Sequence, residues 1–252
     1  MTAWVLLAAI ASTSLSGHFK GQYGGIEMFD SQAKLSFRVN PSHLATPIRA
    51  CSSGYLFLAT QALVAGKLDP INTSIRYDAV RFPSTPDWPV AWQQEQDLTV
   101  ALRFATPWYF AELRQRLGQG AWQMRAQQAG FGNLQGPIEE WTTTILQQVN
   151  WIRRLQSNAL GLNGQSRELI RRGLRREQAG TNVLFGSGGR CPLPDGTAIA
   201  WHLGWVERNK SPVFYGLTVE GKSRAELSGE ALRIAKDTLN EMNFLGAAQS
   251  SP

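Results

Sequence analysis

Trp201-His202-Leu203-Gly204-Trp205-Val206-Glu207 is the stretch on which the reading of this chain turns. It lies inside Ala198–Arg208, a run of aromatic and β-branched residues with strand character. Asn209-Lys210-Ser211-Pro212 follows as turn chemistry, and then Val213–Glu220, a second run of the same kind. Two strands joined by a tight turn form an antiparallel pair. Upstream, Asn182–Gly188 reads as a third strand, separated from the pair by the Pro194-Asp195-Gly196 turn. Beyond the pair the chain ends in a helix, with Leu227, Ala231, Ile234, Ala235 and Met242 on one face.

Toward the N-terminus the pattern changes. Ile26–Asp30 and Leu35–Val39, with Ser31–Lys34 between them, read as a β-hairpin. Pro41 to Pro47 is a loop, and an apolar helix runs from Ser52 to a stop at Gly66. Residues 68–100, rich in Pro, Asp and Asn, read as loops. Trp108–Leu117 is a helix ended by Gly118; Ile145, Val149, Ile152 and Leu155 form the stripe of another, and Arg167–Glu177 is a third. Strands at both ends and helices between them make an α+β fold. The antiparallel sheet, flanked by N- and C-terminal helices, takes residues 17–50 and 178–252, and an inserted all-helical lobe takes 52–177. A cleft between the two lobes is the natural ligand site.

The 252 residues carry 43% hydrophobic and 17% charged side chains, enough apolar mass for one large domain and too little charge for disorder. The net charge is +6, densest at Arg171, Arg172, Arg175 and Arg176. Leu169, Ile170 and Leu174 interleave with those arginines, so the stretch reads as the solvated face of a helix, and nothing in it carries a nucleic-acid motif. No run of eighteen apolar residues suggests a membrane span. Two cysteines and three histidines make neither a disulfide framework nor a metal site, and no cofactor is expected. Residues 4–11 are apolar and small residues follow, which reads as an export signal over residues 1–16 despite the absence of Lys or Arg ahead of it. A periplasmic or secreted location follows from that reading.

With these elements in place, Trp201 to Glu207 resembles the W-x-x-G-W-V-E strand of the class D β-lactamases, and the likeness continues through Phe214-Tyr215-Gly216-Leu217 into the last helix. Ile26 to Pro41 is similar to that family's first hairpin. Phe131-Gly132-Asn133 resembles its Y-G-N element, and Trp108-Tyr109-Phe110 through Gly118 resembles the helix after its second catalytic motif. The resemblance runs over about 230 residues. It implies a penicillin-recognising serine hydrolase fold, acylation of a serine at a helix start, a lysine base one turn later, a second serine as proton relay, and a K-T-G strand with an arginine for the substrate carboxylate.

Most of those positions hold other residues. The serine of S-x-x-K falls on Ser52, and the lysine falls on Tyr55, a phenol that is a poor base at neutral pH. The second serine falls on Ala105, with Thr106 beside it. K-T-G falls on Gly186-Ser187-Gly188, which with Thr106 and Trp108 form the expected ligand-binding set. The family's arginine falls near Ala231, with Arg224 or Arg233 as substitutes, and the family's buried tryptophan has Trp141 as its nearest counterpart. Ser31-Gln32-Ala33-Lys34 also spells S-x-x-K but lies in a hairpin turn, and Lys222-Ser223-Arg224 follows the last strand instead of sitting on one.

Two functions follow from the resemblance. The first is a binding module for a β-lactam or a peptidoglycan-peptide-like ligand, inactive or very slow as a hydrolase. The second is an active serine β-lactam hydrolase, acyltransferase or esterase with Ser52 as nucleophile. Ser52 has an ordinary structural use as well, since serine is a good helix N-cap. The same alignment brings Cys51, next to Ser52, toward Cys191, just past the K-T-G position, so a bridge across the cleft is possible if the chain is exported.

Overall fold

A computed structural model describes residues 15–86, 88–118, 120–133, 136, 140–208 and 211–246. The first hairpin is β1 (Gly24–Asp30) and β2 (Leu35–Val39), with Asp30 opposite Leu35. After it come a short helix α1 (Pro41–Leu44), the two-residue strand β3 (Ile48–Arg49) and α2 (Ser53–Val64). The lobe continues through α3 (Leu98–Phe104), α4 (Pro107–Leu117), α5 (Ala121–Ala129), β4 (Thr142–Thr143), α6 (Ile145–Gln156) and α7 (Gly164–Leu174). The chain then returns to the sheet with β5 (Arg175–Ala179), β6 (Asn182–Pro192), β7 (Ala198–Glu207) and β8 (Val213–Gly221), and closes on α8 (Glu230–Glu241). All pairings in the six-stranded sheet are antiparallel, in the order β2-β1-β8-β7-β6-β5, so the two ends of the chain are joined at the β1–β8 seam.

The alternation of strand side chains divides the interior into two cores, one on each sheet face. Phe185, Trp201, Trp205 and Phe214 point toward the helical lobe and pack with α2, α4 and α6. Leu184, Val206, Tyr215 and Leu217 point the other way, toward Ile234, Ala235 and Leu239 of α8. Trp205 stacks on Phe185 with ring centroids 4.9 Å apart. Five tryptophans are among the largest fully buried side chains, all at 0–1% exposure, and all five belong to the core on the helical-lobe side. In that lobe α6 is well started: Thr144 and Gln147 form a reciprocal capping box, and α3 and α7 are capped by the side chains of Asp97 and Asn163.

The structure revises several expectations. The third basic helix ends at Leu174, and Arg175–Ala179 leaves it to become the edge strand β5, paired with β6. Of the four arginines there, Arg172 and Arg175 are exposed, while the other two are engaged: Arg171 forms an ion pair with Glu207 and lies over the Phe185 ring, and Arg176 donates from Nε to the Gly186 carbonyl at 2.8 Å. Residues 68–100 hold the start of α3 as well as loops, and α5 is a helix that the sequence pattern did not reveal. Residues 1–14 of the expected export segment lie outside the described residues. Leu15 is fully buried in the core beneath α8. No helix among the described residues is long and apolar enough to cross a membrane.

Candidate active-site cleft

The segment Arg49 to Ser53, which leads into α2, is fixed from several directions. Trp201 Nε1 donates to the Arg49 carbonyl at 2.7 Å, and the Ala50 N–H donates to the Trp141 carbonyl at 2.7 Å. Ser53 Oγ donates to the Ala50 carbonyl at 2.5 Å. Cys51 is bonded to Cys191 on β6, with Cα atoms 5.6 Å apart at a sequence separation of 140. Cys51 sits at φ +49°, a left-handed conformation that a β-substituted residue holds only when its surroundings impose it. The bonds on either side and the bridge supply that constraint, and the result is to present the next residue, Ser52, to the cleft.

Ser52 is half-buried and lines a cavity of about 800 Å³ between the sheet and the helical lobe. It is the N-terminal flanking residue of α2, yet its side chain makes no capping hydrogen bond, so helix stabilisation does not explain a serine there. β6 crosses directly above it. A Cβ placed on Gly189 would lie 1.4 Å from Ser52 Oγ, so only glycine lets the strand pass. Tyr55 lies one turn further along α2, lines the same cavity, and stacks on Phe110 with centroids 4.4 Å apart and planes 9° apart. A flat aromatic stack therefore fills the position where the resemblance asks for a base. Gly54, between them, is packed against Trp141: a Cβ there would come within 2.9 Å of the indole ring. The buried-tryptophan candidate thus sits against the first turn of the site helix.

Ala105 lines the cavity at the junction of α3 and α4 and supplies no hydroxyl. Its neighbour Thr106 is fully buried and donates its hydroxyl to Gln96 Oε1 at 2.7 Å, away from the cavity. Trp108 is also outside the cavity lining; its Nε1 donates to the Trp92 carbonyl and its ring packs on Tyr77. On β6 the expected ligand-binding triplet is displaced. Gly186 and Ser187 are buried and do not line the cavity, whereas Gly188, Gly189 and Arg190 do. Gly186 instead faces the buried His202 and Tyr215 on the far face of the sheet. Of the two substitute arginines, Arg224 lines the cavity, and Arg233 is taken up by Glu230, Asp237 and the His18 carbonyl.

Behind the cleft, His202 shares a hydrogen bond of 3.0 Å with the Tyr215 hydroxyl. Burial, with the nearby Arg176 charge as a second cause, lowers the imidazole pKa to about 3, so the ring is neutral at physiological pH. Burial pushes the Tyr215 phenol upward. Sequence reasoning did not single out this pair. The only available signal was a histidine and a tyrosine on adjacent strands, and their pairing depends on the β7–β8 register that sets His202 opposite Leu217.

No protein-family model matches the chain. Among curated proteins, the regulatory protein BlaR1 of Bacillus licheniformis is 25% identical over 215 residues, which is 82% of this chain but 35% of that protein. The chain therefore spans about a third of that relative's length. Among solved structures, the C-terminal domain of the Bacillus licheniformis BlaR penicillin-receptor superimposes with a TM-score of 0.82 at 23% identity, covering 91% of this chain and 95% of that one. The class D β-lactamase YbXI from Nostoc superimposes with a TM-score of 0.81 at 21% identity, covering 92% and 99%. The chain is thus similar in sequence to the regulatory protein BlaR1 and, in fold, to the BlaR penicillin-receptor domain and the class D β-lactamases.

Proposed function

We propose that this domain binds a β-lactam or a peptidoglycan-peptide-like ligand in the cleft at Ser52 and does not turn it over. The observation that carries the reading is the geometry around that serine. Ser52 is held in a cavity large enough for a drug-sized ligand, without a capping duty, while Tyr55 and Ala105 stand where hydrolysis needs a base and a proton relay. One general base typically contributes ~10²–10⁴-fold to such a reaction, so its loss alone removes useful turnover. If the serine is acylated, no Lys, Asp or Glu among the described residues lines the cavity to activate water for release, and the adduct persists.

The likeness to a penicillin receptor supports the reading, because a receptor needs occupancy and not turnover. Intact mass spectrometry after incubation with benzylpenicillin, alongside nitrocefin turnover, is the test. A stable adduct lost in Ser52→Ala, or reversible binding with no adduct, supports the proposal. Nitrocefin turnover at ordinary enzyme rates that disappears in Ser52→Ala rejects it and favours the hydrolase.

A location outside the reducing cytoplasm, periplasmic or secreted, belongs to the same proposal. The Cys51–Cys191 bridge supports it, since structural disulfides persist in oxidising compartments. Localisation of a tagged full-length chain by cell fractionation is the check.

A further inference from the structure

The bridge between Cys51 and Cys191 lies in the wall of the cavity: both cysteines line it, together with Ser52, Gly189 and Pro192. It joins the residue just before Ser52 to the residue two positions beyond the glycine that packs on Ser52 Oγ. Its Cα atoms stand 5.6 Å apart, so the bridge fixes the gap between the start of α2 and β6 at the point where Ser52 meets Gly189.

The neighbours of these residues are held by other means. Arg49 and Ala50 are bonded to Trp201 and Trp141, and Ser53 closes back on Ala50. None of those bonds crosses to β6. That crossing is made by the bridge and by the Arg49 guanidinium, which donates to the Pro192 carbonyl at 3.1 Å from a partly exposed side chain. Cys51 holds φ at +49°, a region disfavoured for any residue with a Cβ, and the Ser52 side chain makes no capping bond to α2. Opening the bridge therefore frees the two residues that aim Ser52 Oγ and leaves the anchors around them in place.

We infer that Cys51 and Cys191 are positioning residues for Ser52, and that closing their bridge switches the cleft from slow to competent acylation. The inference rests on the proposed reading that Ser52 accepts an acyl ligand, and it gives that site a redox control. On closure the two thiols give up two protons and two electrons to a disulfide oxidant, which leaves as two thiols while the Cys51–Cys191 bond forms. A dithiol reverses the step and leaves as its cyclic disulfide. The chain is then silent while its thiols are reduced and competent after it meets an oxidising compartment.

The test compares the full chain oxidised, reduced with dithiothreitol, and reduced then reoxidised with oxidised glutathione, each freed of reagent and kept from air. Benzylpenicillin adduct formation is timed by intact mass spectrometry, with Ser52→Ala as the blank. Near-ultraviolet circular dichroism of the tryptophans reports the fold. The oxidised form is expected to acylate at least about tenfold faster than the reduced form at saturating penicillin, because a displacement of ~1 Å at a reacting group costs up to ~10²-fold. Reoxidation should restore the rate, and Cys51→Ala/Cys191→Ala should stay slow and ignore reductant. The non-covalent affinity, read by tryptophan fluorescence in Ser52→Ala, should be the same with the bridge open or closed. Equal acylation in oxidised and reduced forms overturns the inference and leaves the proposed function standing. Loss of the near-ultraviolet signal on reduction, or a change in affinity that accounts for the slower rate, also overturns it, because the bridge would then hold the domain or the whole cleft. No adduct in any form overturns it as well, and the fluorescence titration then decides whether the proposed ligand binds at all.

Discussion

Strand β7 and the entrance to α2 face the same cleft, and their likeness to the class D β-lactamases differs sharply. β7 reproduces the family's strand letter by letter at Trp201, Gly204, Trp205, Val206 and Glu207, and nearly every one of its residues is buried. The α2 entrance matches at Ser52 and departs at Tyr55, and across the cleft Ala105 departs as well. The difference lies in what each region must satisfy. A β7 side chain packs in the middle of a six-stranded sheet between two cores, where a wrong volume costs the fold. A cleft residue answers only to the chemistry of its ligand. When the chemistry changes, Tyr55 can stack on Phe110 and Ala105 can turn the chain at φ +51° while the scaffold keeps its fold.

The largest effect expected is at the covalent tie between the α2 entrance and the sheet, the Cys51–Cys191 bridge. It closes a loop of 140 residues, and in the chain-entropy model its loss costs about 4–5 kcal/mol. Thermal or urea unfolding with and without reductant, repeated on Cys51→Ala/Cys191→Ala, should show that loss; a shift below about 1 kcal/mol would mean that the entrance is held by its hydrogen bonds alone. Trp205→Ala comes next. It removes a fully buried ring stacked on Phe185 and should cost about 3–5 kcal/mol, a scaffold effect measurable by urea unfolding.

The third expectation uses pH. His202, on β7, has a folded pKa of about 3 against an ordinary value of 6.5, because burial disfavours its charged form. The unfolded chain therefore binds the extra proton between those values. The contribution to stability is complete above pH 6.5 and is lost progressively as pH falls toward 3, on the order of 5 kcal/mol in all. His43, buried and also lowered, adds in the same direction. Unfolding free energy measured from pH 7 to pH 4 should fall with acid, and His202→Gln should flatten that slope. The smallest effect expected is Ser52→Ala. With no capping bond to lose, stability should change by less than about 0.5 kcal/mol while any penicillin adduct vanishes. A loss of 1 kcal/mol or more in urea unfolding would return Ser52 to the scaffold and weaken the contrast between the two regions.

The sequence by itself determined the scaffold. Alternation and turn residues delimit β1, β2, β7 and β8 to within a residue or two, and Gly118 ends α4 where the punctuation places it. Those signals are local, because burial on a strand or helix face repeats at short spacing along the chain. The identities at the site were legible for the same reason: Ser52, Tyr55 and Ala105 sit in segments with recognisable neighbours, and all three line the cleft. What only the tertiary structure decided are relations between distant residues. Ser187 and Gly189 are two residues apart and share a strand face, so alternation alone could not choose Gly189 as the residue above Ser52; the position along the strand is set by where β6 crosses α2. The bent boundary at Leu174 is imposed by pairing with β6 and not by propensity. The Cys51–Cys191 bridge joins parts of the chain 140 residues apart, and such proximity is a property of packed surfaces that the order of residues does not carry.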